Sequence, residues 1–301
     1  MTLISTALIG LALVLCPSLL LVGASILARR YWHRKDRRNP LTRGLLRSPG
    51  YSLQERLDDV RTDLISLAGG MAPIPMFVYY MTSTTAMTEV AVYLLWFFVV
   101  GILLWAVFRV FALVRQARNL RLGMEAEMAA GQELSMLMRD GFFVFHDLPG
   151  DKKFNIDHVV VGPSGLFAVE TKGRPKRVRD DGSGYRVTLQ DGRLVFPGWS
   201  ETAPLEQARL NASWLSKWLT SAVGEQVIAK PVLVLPGWFV ERKSPSDVAV
   251  INGSNARQYF LKAQGSGISE QLVSRIVHQL DARCRDIQGR AYVHEEADAA
   301  S

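Results

Sequence analysis

Cysteine is scarce in this sequence, which has 301 residues and only two cysteines, Cys16 and Cys284. Two cysteines exclude both a disulfide framework and a cysteine-rich metal site. Cys16 lies inside an apolar run and Cys284 lies near the C-terminus, so we do not expect them to pair. A reducing compartment is therefore the simpler assumption for the soluble part of the chain.

Charged residues are absent from three long stretches, residues 1–28, 64–88 and 90–108. The first and the last are apolar enough to span a membrane, since about 20 residues cross the hydrocarbon core. The first stretch lacks the basic segment that begins a cleaved signal peptide, and its apolar core is too long for one. We therefore predict transmembrane helices near 3–28 and 90–110.

Basic residues follow both of these spans, beginning with Arg29 after the first and Arg109 after the second. Two spans alone would place the basic segments on opposite sides of the membrane, which the positive-inside rule disfavours. A third crossing near 64–82 resolves the conflict, although its two prolines would kink it. This topology puts the N-terminus outside and everything after Arg109 in the cytoplasm, at the cytoplasmic (inner) membrane. The alternative is a re-entrant or surface-lying segment at 64–81.

The net charge of +7 is confined to the apolar part of the chain. Residues 1–118 contain 13 Lys/Arg and 6 Asp/Glu, whereas residues 119–301 contain 22 of each. The excess therefore indicates membrane topology and not affinity for a polyanion. A transporter or channel is disfavoured because the predicted spans contain no intramembrane charge.

The soluble part is predicted to extend over 119–290, followed by a disordered tail at 291–301. A short amphipathic helix is predicted before it, within 41–63. Apolar periodicity and turn residues predict helices over 120–139, 201–222, 254–263 and 270–285, and strands over 142–145, 156–161, 166–171, 185–189, 193–196, 227–235 and 248–251. This order predicts an α/β fold with one mixed central sheet flanked by helices.

Two carboxylates and a lysine fall on one predicted hairpin, formed by the strands 156–161 and 166–171 around Gly162-Pro163-Ser164-Gly165. A turn symmetric about the 163/164 bond would place Asp157 directly opposite Glu170, with Cβ atoms about 5 Å apart. Lys172 lies two residues beyond Glu170 and shares its face. A β-bulge would shift this register.

Two like charges directly opposite each other destabilise a hairpin, so their repulsion must be offset. Mg²⁺ or Mn²⁺ would do so, because these hard cations prefer oxygen ligands and are often held by one or two carboxylates. The bound ion would activate water and stabilise charge on a phosphate, and a lysine could orient that water. The alternative is a solvated sheet face with a weak ion pair at Lys172. The apolar flanking strands favour the metal site, because charges among them are usually paired or metal-bound.

The stretch NIDHVVVGPSGLFAVETKG, residues 155–173, resembles the nuclease-related domain (NERD), a branch of the PD-(D/E)XK restriction-endonuclease-like superfamily. The resemblance covers residues 119–235 and implies a restriction-endonuclease-like fold and metal-dependent hydrolysis of nucleic-acid phosphodiesters. It also implies that Asp157 and Glu170 bind the metal and that Lys172 is catalytic.

Two weaker motifs extend the resemblance on either side of this stretch. The segment Gly123-Met-Glu-Ala-Glu127 is similar to the family's Gly-x-x-Gly-Glu helix motif, with Ala126 in place of the second glycine. The resemblance implies that Glu127 is a further acidic metal ligand and that Gln207, in a downstream helix, faces the site. Without the resemblance, Glu127 would be interpreted as a solvated helix charge and Gln207 as a surface residue or helix cap. His158 is interpreted as structural, and His146 and Asp147 as strand-end residues.

A basic segment follows Lys172 directly and contains Arg174, Lys176, Arg177 and Arg179. Such a segment is typical of a loop that contacts phosphate, but also of a solvated loop or of one that docks on anionic lipid headgroups. The sequence thus favours a membrane-anchored, Mg²⁺-dependent nuclease acting on nucleic acid, with DNA expected as its substrate. The alternative is a non-catalytic nucleic-acid-binding or membrane scaffold or sensor module, which the neutral soluble half favours.

Overall fold

The structure, a computed structural model, describes residues 40–151, 154–176, 183–263 and 267–288, together with Gly23, Ala24 and Leu27. Apart from those three residues, the predicted span at 3–28 lies outside the described residues, as does the tail at 291–301. The chain divides into two compact units. The first includes Leu57–Arg118, and the second consists of Arg43–Arg56 and Asn119–Gln288. The second unit therefore takes in a segment that the sequence analysis assigned to the membrane region.

Three helices account for the apolar part of the described chain: α1 (Tyr51–Met71), α2 (Pro73–Thr84) and α3 (Glu89–Ser135). The amphipathic helix expected within 41–63 is not separate, because α1 continues through it into the apolar run. The proline that begins α2 is tolerated because the first turn of a helix leaves its N–H groups unpaired. The prediction of separate helices over 90–110 and 120–139 was also wrong, because α3 is continuous and no helix-breaking proline lies between them.

Two helical stretches are long and apolar enough to cross a membrane, Tyr51–Thr84 with a mean hydropathy of 1.4 and Glu89–Asp140 with 2.6. Only 6% of the apolar window in the first and 11% in the second is buried. A core helix of a soluble protein would be mostly buried instead. Length and composition therefore permit both stretches to cross a membrane.

The second unit is built on a five-stranded mixed sheet. Its strands, in the order in which they are hydrogen-bonded, are β1 (Phe143–Pro149), β2 (Asn155–Gly162), β3 (Gly165–Thr171), β7 (Ala229–Val234) and β9 (Ala249–Ile251). The first three strands are antiparallel neighbours, whereas β3, β7 and β9 run parallel. Both faces are buried, which explains why β2 and β3 are almost continuously apolar.

Helices cover both faces of this sheet, as the sequence predicted. One face packs on α4 (Ala203–Val223) and α6 (Glu270–Cys284). The other face packs on the C-terminal half of α3 and on α5 (Ala256–Lys262). The result is a layered α/β arrangement with buried aliphatic residues on each side of the sheet.

A second, four-stranded sheet corrects the expectation of a single one. Its strands, in hydrogen-bonded order, are β6 (Trp199–Glu201), β5 (Arg193–Phe196), β4 (Arg186–Gln190) and β8 (Phe239–Arg242). Neither β6 nor β8 was predicted. Each has only three or four residues, and neither adjoins an Asp-Gly turn like the one that identified the equally short β5. The fully buried Trp238 packs edge-on against Phe196 of β5. Both rings belong to the hydrophobic core beside this sheet.

A buried acidic residue holds the segment Arg43–Arg56 in the second unit. Asp147 is fully buried and has a positive φ of 51°. Its carboxylate pairs with the Arg47 guanidinium at 3.0 Å and accepts hydrogen bonds from the backbone N–H and hydroxyl of Ser52 and from Asn155. Arg47 also pairs with Asp286, so one arginine links the segment to two distant parts of the unit.

We expect Asp147→Ala to destabilise the protein by about 3–5 kcal/mol, because it leaves Arg47 without its buried partner. Urea unfolding of the full chain in detergent measures the loss. The matched control is Asp247→Ala, which breaks the exposed pair with Arg209 and should cost less than about 1 kcal/mol. Equal losses in the two variants would show that the Asp147 network does not hold the segment in place.

Candidate functional site

Three carboxylates from three elements approach one another in the second unit. Glu127 lies on α3, Asp157 on β2 and Glu170 on β3. Their exposed fractions are only 6%, 6% and 1%. Repulsion from Glu170 contributes to raising the pKa of both other carboxyls, so the three groups interact electrostatically. The structure therefore brings together the acidic residues that the sequence analysis had selected.

The hairpin between β2 and β3 has the register that a symmetric turn predicts. The paired residues run from Gly162 opposite Gly165 to His158 opposite Val169. Asp157 and Glu170 lie one step beyond the last of these pairs. There, the carboxylate of Asp157 accepts a hydrogen bond from the backbone N–H of Thr171 at 2.7 Å. The bond fixes Asp157 against the end of β3, next to Glu170.

Both carboxylate oxygens of Glu170 have a partner. The Lys172 ammonium lies 2.6 Å from Oε1, and the Asn211 side-chain amide donates to Oε2 at 2.7 Å. The backbone N–H of Lys172 donates to the carbonyl of Val234, which holds the lysine at the end of the parallel strands. These contacts lower the pKa of Glu170, but burial outweighs them and raises it above its ordinary value.

Glu127 is the least satisfied of the three carboxylates. Its Oε2 atom is buried without a hydrogen-bond partner, while the backbone of Gly50 donates a hydrogen bond to the carboxylate. Burial, together with repulsion from Asp147 and Glu170, raises the pKa of Glu127 to about 8. Burial likewise raises the pKa of Asp157 well above its ordinary value, and its acidic neighbours add to the effect. The site therefore holds more acidic groups than its single lysine neutralises.

A divalent cation fits this set of donors chemically. Among the residues that the structure describes, no group of three or more His, Cys, Asp or Glu side chains stands in metal-binding geometry. However, one or two carboxylates completed by water suffice for Mg²⁺. The unpartnered oxygen of Glu127 and the buried carboxylates of Asp157 and Glu170 are the groups that could hold the ion.

A glycine allows the end of β3 to approach the helix that carries Glu127. A Cβ atom on Gly173 would lie 2.7 Å from the carbonyl oxygen of Leu122 and 3.0 Å from the Cβ of Ala126. Distances this short leave no room for a side chain. The contact explains how Lys172 and Glu127, which are far apart in sequence, belong to one site.

The remaining predicted residues are placed differently. Gln207 is exposed, and none of the described hydrogen bonds links it to the carboxylates. The residue of α4 that reaches Glu170 is Asn211, one turn later, which the sequence analysis missed. A polar residue within the apolar stripe of Ala208 and Leu215 could have revealed it.

The basic segment is only partly described. Two guanidinium nitrogens of Arg174 donate to the two carboxylate oxygens of Glu201, each at 2.8 Å. This arginine is therefore engaged within the domain. Lys176 is exposed. Arg177 and Arg179 lie outside the described residues.

His146 and Asp147 are not strand-end residues as predicted, because both lie within β1. The Nδ1 atoms of His146 and His158 are 2.9 Å apart, so one ring donates and the other accepts. Burial lowers the pKa of His146 to about 4 and that of His158 well below its ordinary value. The two rings are therefore neutral at pH 7, which agrees with a structural role for His158.

Comparison with known proteins gives one family match. Residues 122–236 match the family model of the nuclease-related domain, NERD. The match contains Glu127, Asp157, Glu170, Lys172 and Asn211, and it supports both the resemblance inferred from the sequence and a nuclease-like function. No match was found among curated proteins or among solved structures.

The raised pKa of Glu127 predicts a pH-dependent stability. Since its pKa rises from 4.5 to about 8 on folding, its contribution is fully present below pH 4.5 and is lost as the pH rises to about 8. In EDTA, Glu127→Gln should therefore reduce the difference in unfolding free energy between pH 5 and pH 8 by at least about 1 kcal/mol. Urea unfolding at both pH values measures it, with Glu133→Gln, on the same helix, as control. An undiminished difference would contradict the raised pKa.

The close approach at Gly173 predicts that this position does not tolerate a side chain. Gly173→Ala should destabilise the protein by about 1–3 kcal/mol, because the new methyl group would collide with helix backbone. The control is Gly267→Ala, where nothing lies within 4 Å of the added Cβ. Urea midpoints compare the two variants. If both were equally stable, the strand end would not be packed against the helix as described.

Proposed function

We propose that this protein is a membrane-anchored, metal-dependent nuclease that hydrolyses phosphodiester bonds of nucleic acid, with DNA as the expected substrate. The observation that carries the proposal is the convergence of Asp157, Glu170 and Lys172, with Glu127 beside them, inside a segment that matches the nuclease-related domain. Buried carboxylates with raised pKa values are more frequent at functional sites than elsewhere.

The carboxylates would hold Mg²⁺ or Mn²⁺ by oxygen ligands, with Asp157 and Glu170 as the principal pair and Glu127 as a further ligand. A bound divalent ion supplies Lewis-acid stabilisation of a phosphate oxygen and lowers the pKa of water. Asn211 keeps the carboxylate of Glu170 in one orientation through its 2.7 Å hydrogen bond. Burial of the three carboxylates strengthens the charge interactions among them.

Lys172 has the role of aligning water and balancing charge. Its ammonium lies 2.6 Å from Glu170, within reach of a water or phosphate oxygen at the same carboxylate. In hydrolysis, water adds to phosphorus, one P–O bond breaks and the leaving oxygen is protonated. A fixed ammonium stabilises the negative charge that grows on the phosphate oxygens as this happens.

Membrane anchoring is proposed from the apolar helices. The stretches Tyr51–Thr84 and Glu89–Asp140 have the length and hydropathy of spans, and large apolar side chains such as Phe97 and Phe108 are exposed on the second. With the span near 3–28, three crossings would place the nuclease-like unit on the cytoplasmic side of the inner membrane. Nucleic acid would then be reached at the membrane surface.

A non-catalytic module that binds nucleic acid or acts as a membrane scaffold or sensor is the second candidate. Two observations favour it: residues 119–301 carry no net charge, and Arg174 already forms an ion pair with Glu201. Sequence-independent binding of nucleic acid usually depends on many free Lys and Arg side chains.

Cleavage by the full chain in detergent tests the proposed function. With Mg²⁺ the protein should nick supercoiled DNA, and Lys172→Ala or Asp157→Ala should lower the rate by on the order of 10²-fold or more. The matched control is Lys217→Ala, an exposed lysine of α4, which should cleave at the wild-type rate. Failure of the folded protein to cleave any DNA or RNA with Mg²⁺ or Mn²⁺ would contradict a nuclease.

Calorimetric titration with Mg²⁺ and Mn²⁺ separates the two candidates. The nuclease should bind a divalent ion with an affinity that Asp157→Asn weakens. If no ion binds and Asp157→Asn stabilises the fold, the non-catalytic module is the correct reading.

A further inference from the structure

A cleft of about 390 Å³ lies in the second unit, formed by residues after the segment that matches the nuclease-related domain. It is lined by β8, by the end of β9 and by one side of α5. Its volume falls within the range of sites that bind small molecules. None of the groups described above for the carboxylate site belongs to it.

The lining of this cleft combines three kinds of side chain. Phe239 supplies an aromatic ring that is 52% exposed. Arg242 and Lys262 supply positive charge, and the amides include Asn252 and Gln258. An aromatic face, hydrogen-bonding amides and cations are the groups that contact the base and the phosphate of a nucleotide.

The charge of the cleft differs from that of the surrounding domain. Residues 119–301 contain equal numbers of basic and acidic residues, whereas the cleft has two cations and no acidic residue among its described lining residues. A third cation lies nearby, since the Arg186 guanidinium is 5.4 Å from the centre of the Phe239 ring. A locally positive cleft in a neutral domain selects for an anionic ligand.

The end of β9, which lines the cleft, lies at the same end of the parallel strands as Lys172. Lys172 follows β3 and donates to the carbonyl of Val234, the last residue of β7; Leu235 in turn donates to the carbonyl of Ile251, the last residue of β9. Asn252, which lines the cleft, comes next in the chain. Two strand spacings separate it from Lys172, which is about 10 Å.

We propose that this cleft binds one nucleotide of the substrate strand, near the bond that is cut. The base stacks on Phe239 and meets the side-chain amides, and the phosphate pairs with Lys262. Arg242 donates to the carbonyl of Val250, so it supplies positive charge with one nitrogen already engaged. This inference rests on the proposed nuclease function, which identifies the bound strand as the substrate. The contacts between the cleft and the strand need no metal.

Binding of a fluorescein-labelled single-stranded oligonucleotide to the full chain in detergent tests the proposal. EDTA is present, so that no strand is cut and binding alone is measured. Phe239→Ala should weaken the affinity at least about fivefold, as expected from the loss of one stacked base. Lys262→Ala should weaken it and reduce the slope of log affinity against log salt by about 0.7, as expected from the loss of one phosphate contact.

The controls replace similarly exposed residues elsewhere. Phe143, which is 44% exposed on β1, is the matched aromatic residue, and Lys217 is the matched lysine. Phe143→Ala and Lys217→Ala should leave the affinity and the salt slope unchanged. Equal losses in the controls and in the cleft variants would overturn the proposal.

The outcomes distinguish this inference from the nuclease proposal. Unchanged oligonucleotide affinity in Phe239→Ala and Lys262→Ala would overturn the cleft assignment even if the protein cuts DNA. Conversely, cleft-dependent binding without any cleavage would support the cleft and contradict only the nuclease. If polyglutamate competes for a site that depends on Lys262 but not on Phe239, the cleft binds acidic peptide and the nucleotide assignment fails.

Discussion

Glu127, Asp157 and Glu170 meet at the ends of two strands and one helix turn, where Lys172 is the only cation in ion-pair contact with any of them among the described residues. Burying a carboxylate is costly unless it is paired or hydrogen-bonded. Thr171, Asn211 and Gly50 offset part of that cost with one hydrogen bond each. The apolar layers on both faces of the sheet must supply the rest. The three carboxylates therefore repel one another, and a divalent cation would reduce that repulsion.

The hairpin was predictable because its signals are local. A four-residue turn and the two-residue period of a strand fix which side chains share a face, so the register from Gly162–Gly165 to His158–Val169 follows from sequence. The pairing of Asp157 with the Thr171 N–H was not predictable, because it depends on where the ladder ends.

The contacts that were missed join residues distant in sequence. Asn211 reaches Glu170 only because α4 packs across β3, whereas the family resemblance had indicated Gln207, one turn earlier. Asp147 is recognised by Arg47, which lies 100 residues before it. No local pattern indicates such a partner. Sequence reasoning therefore gave the acidic residues of the site, but not the residues that hold them in position.

The packing around Glu127 and Asp147 involves residues outside the segment that matches the nuclease-related domain. Pro49 lies against Gly131 so closely that a Cβ there would be 2.5 Å from the proline ring, and Gly50 donates to Glu127. A chain that began at residue 119 would retain Asp157, Glu170 and Lys172, but Asp147 would lose Arg47 and Ser52, and Glu127 would lose its backbone donor. The segment that supplies these groups leads directly into the apolar helix α1, so the second unit includes the beginning of that helix.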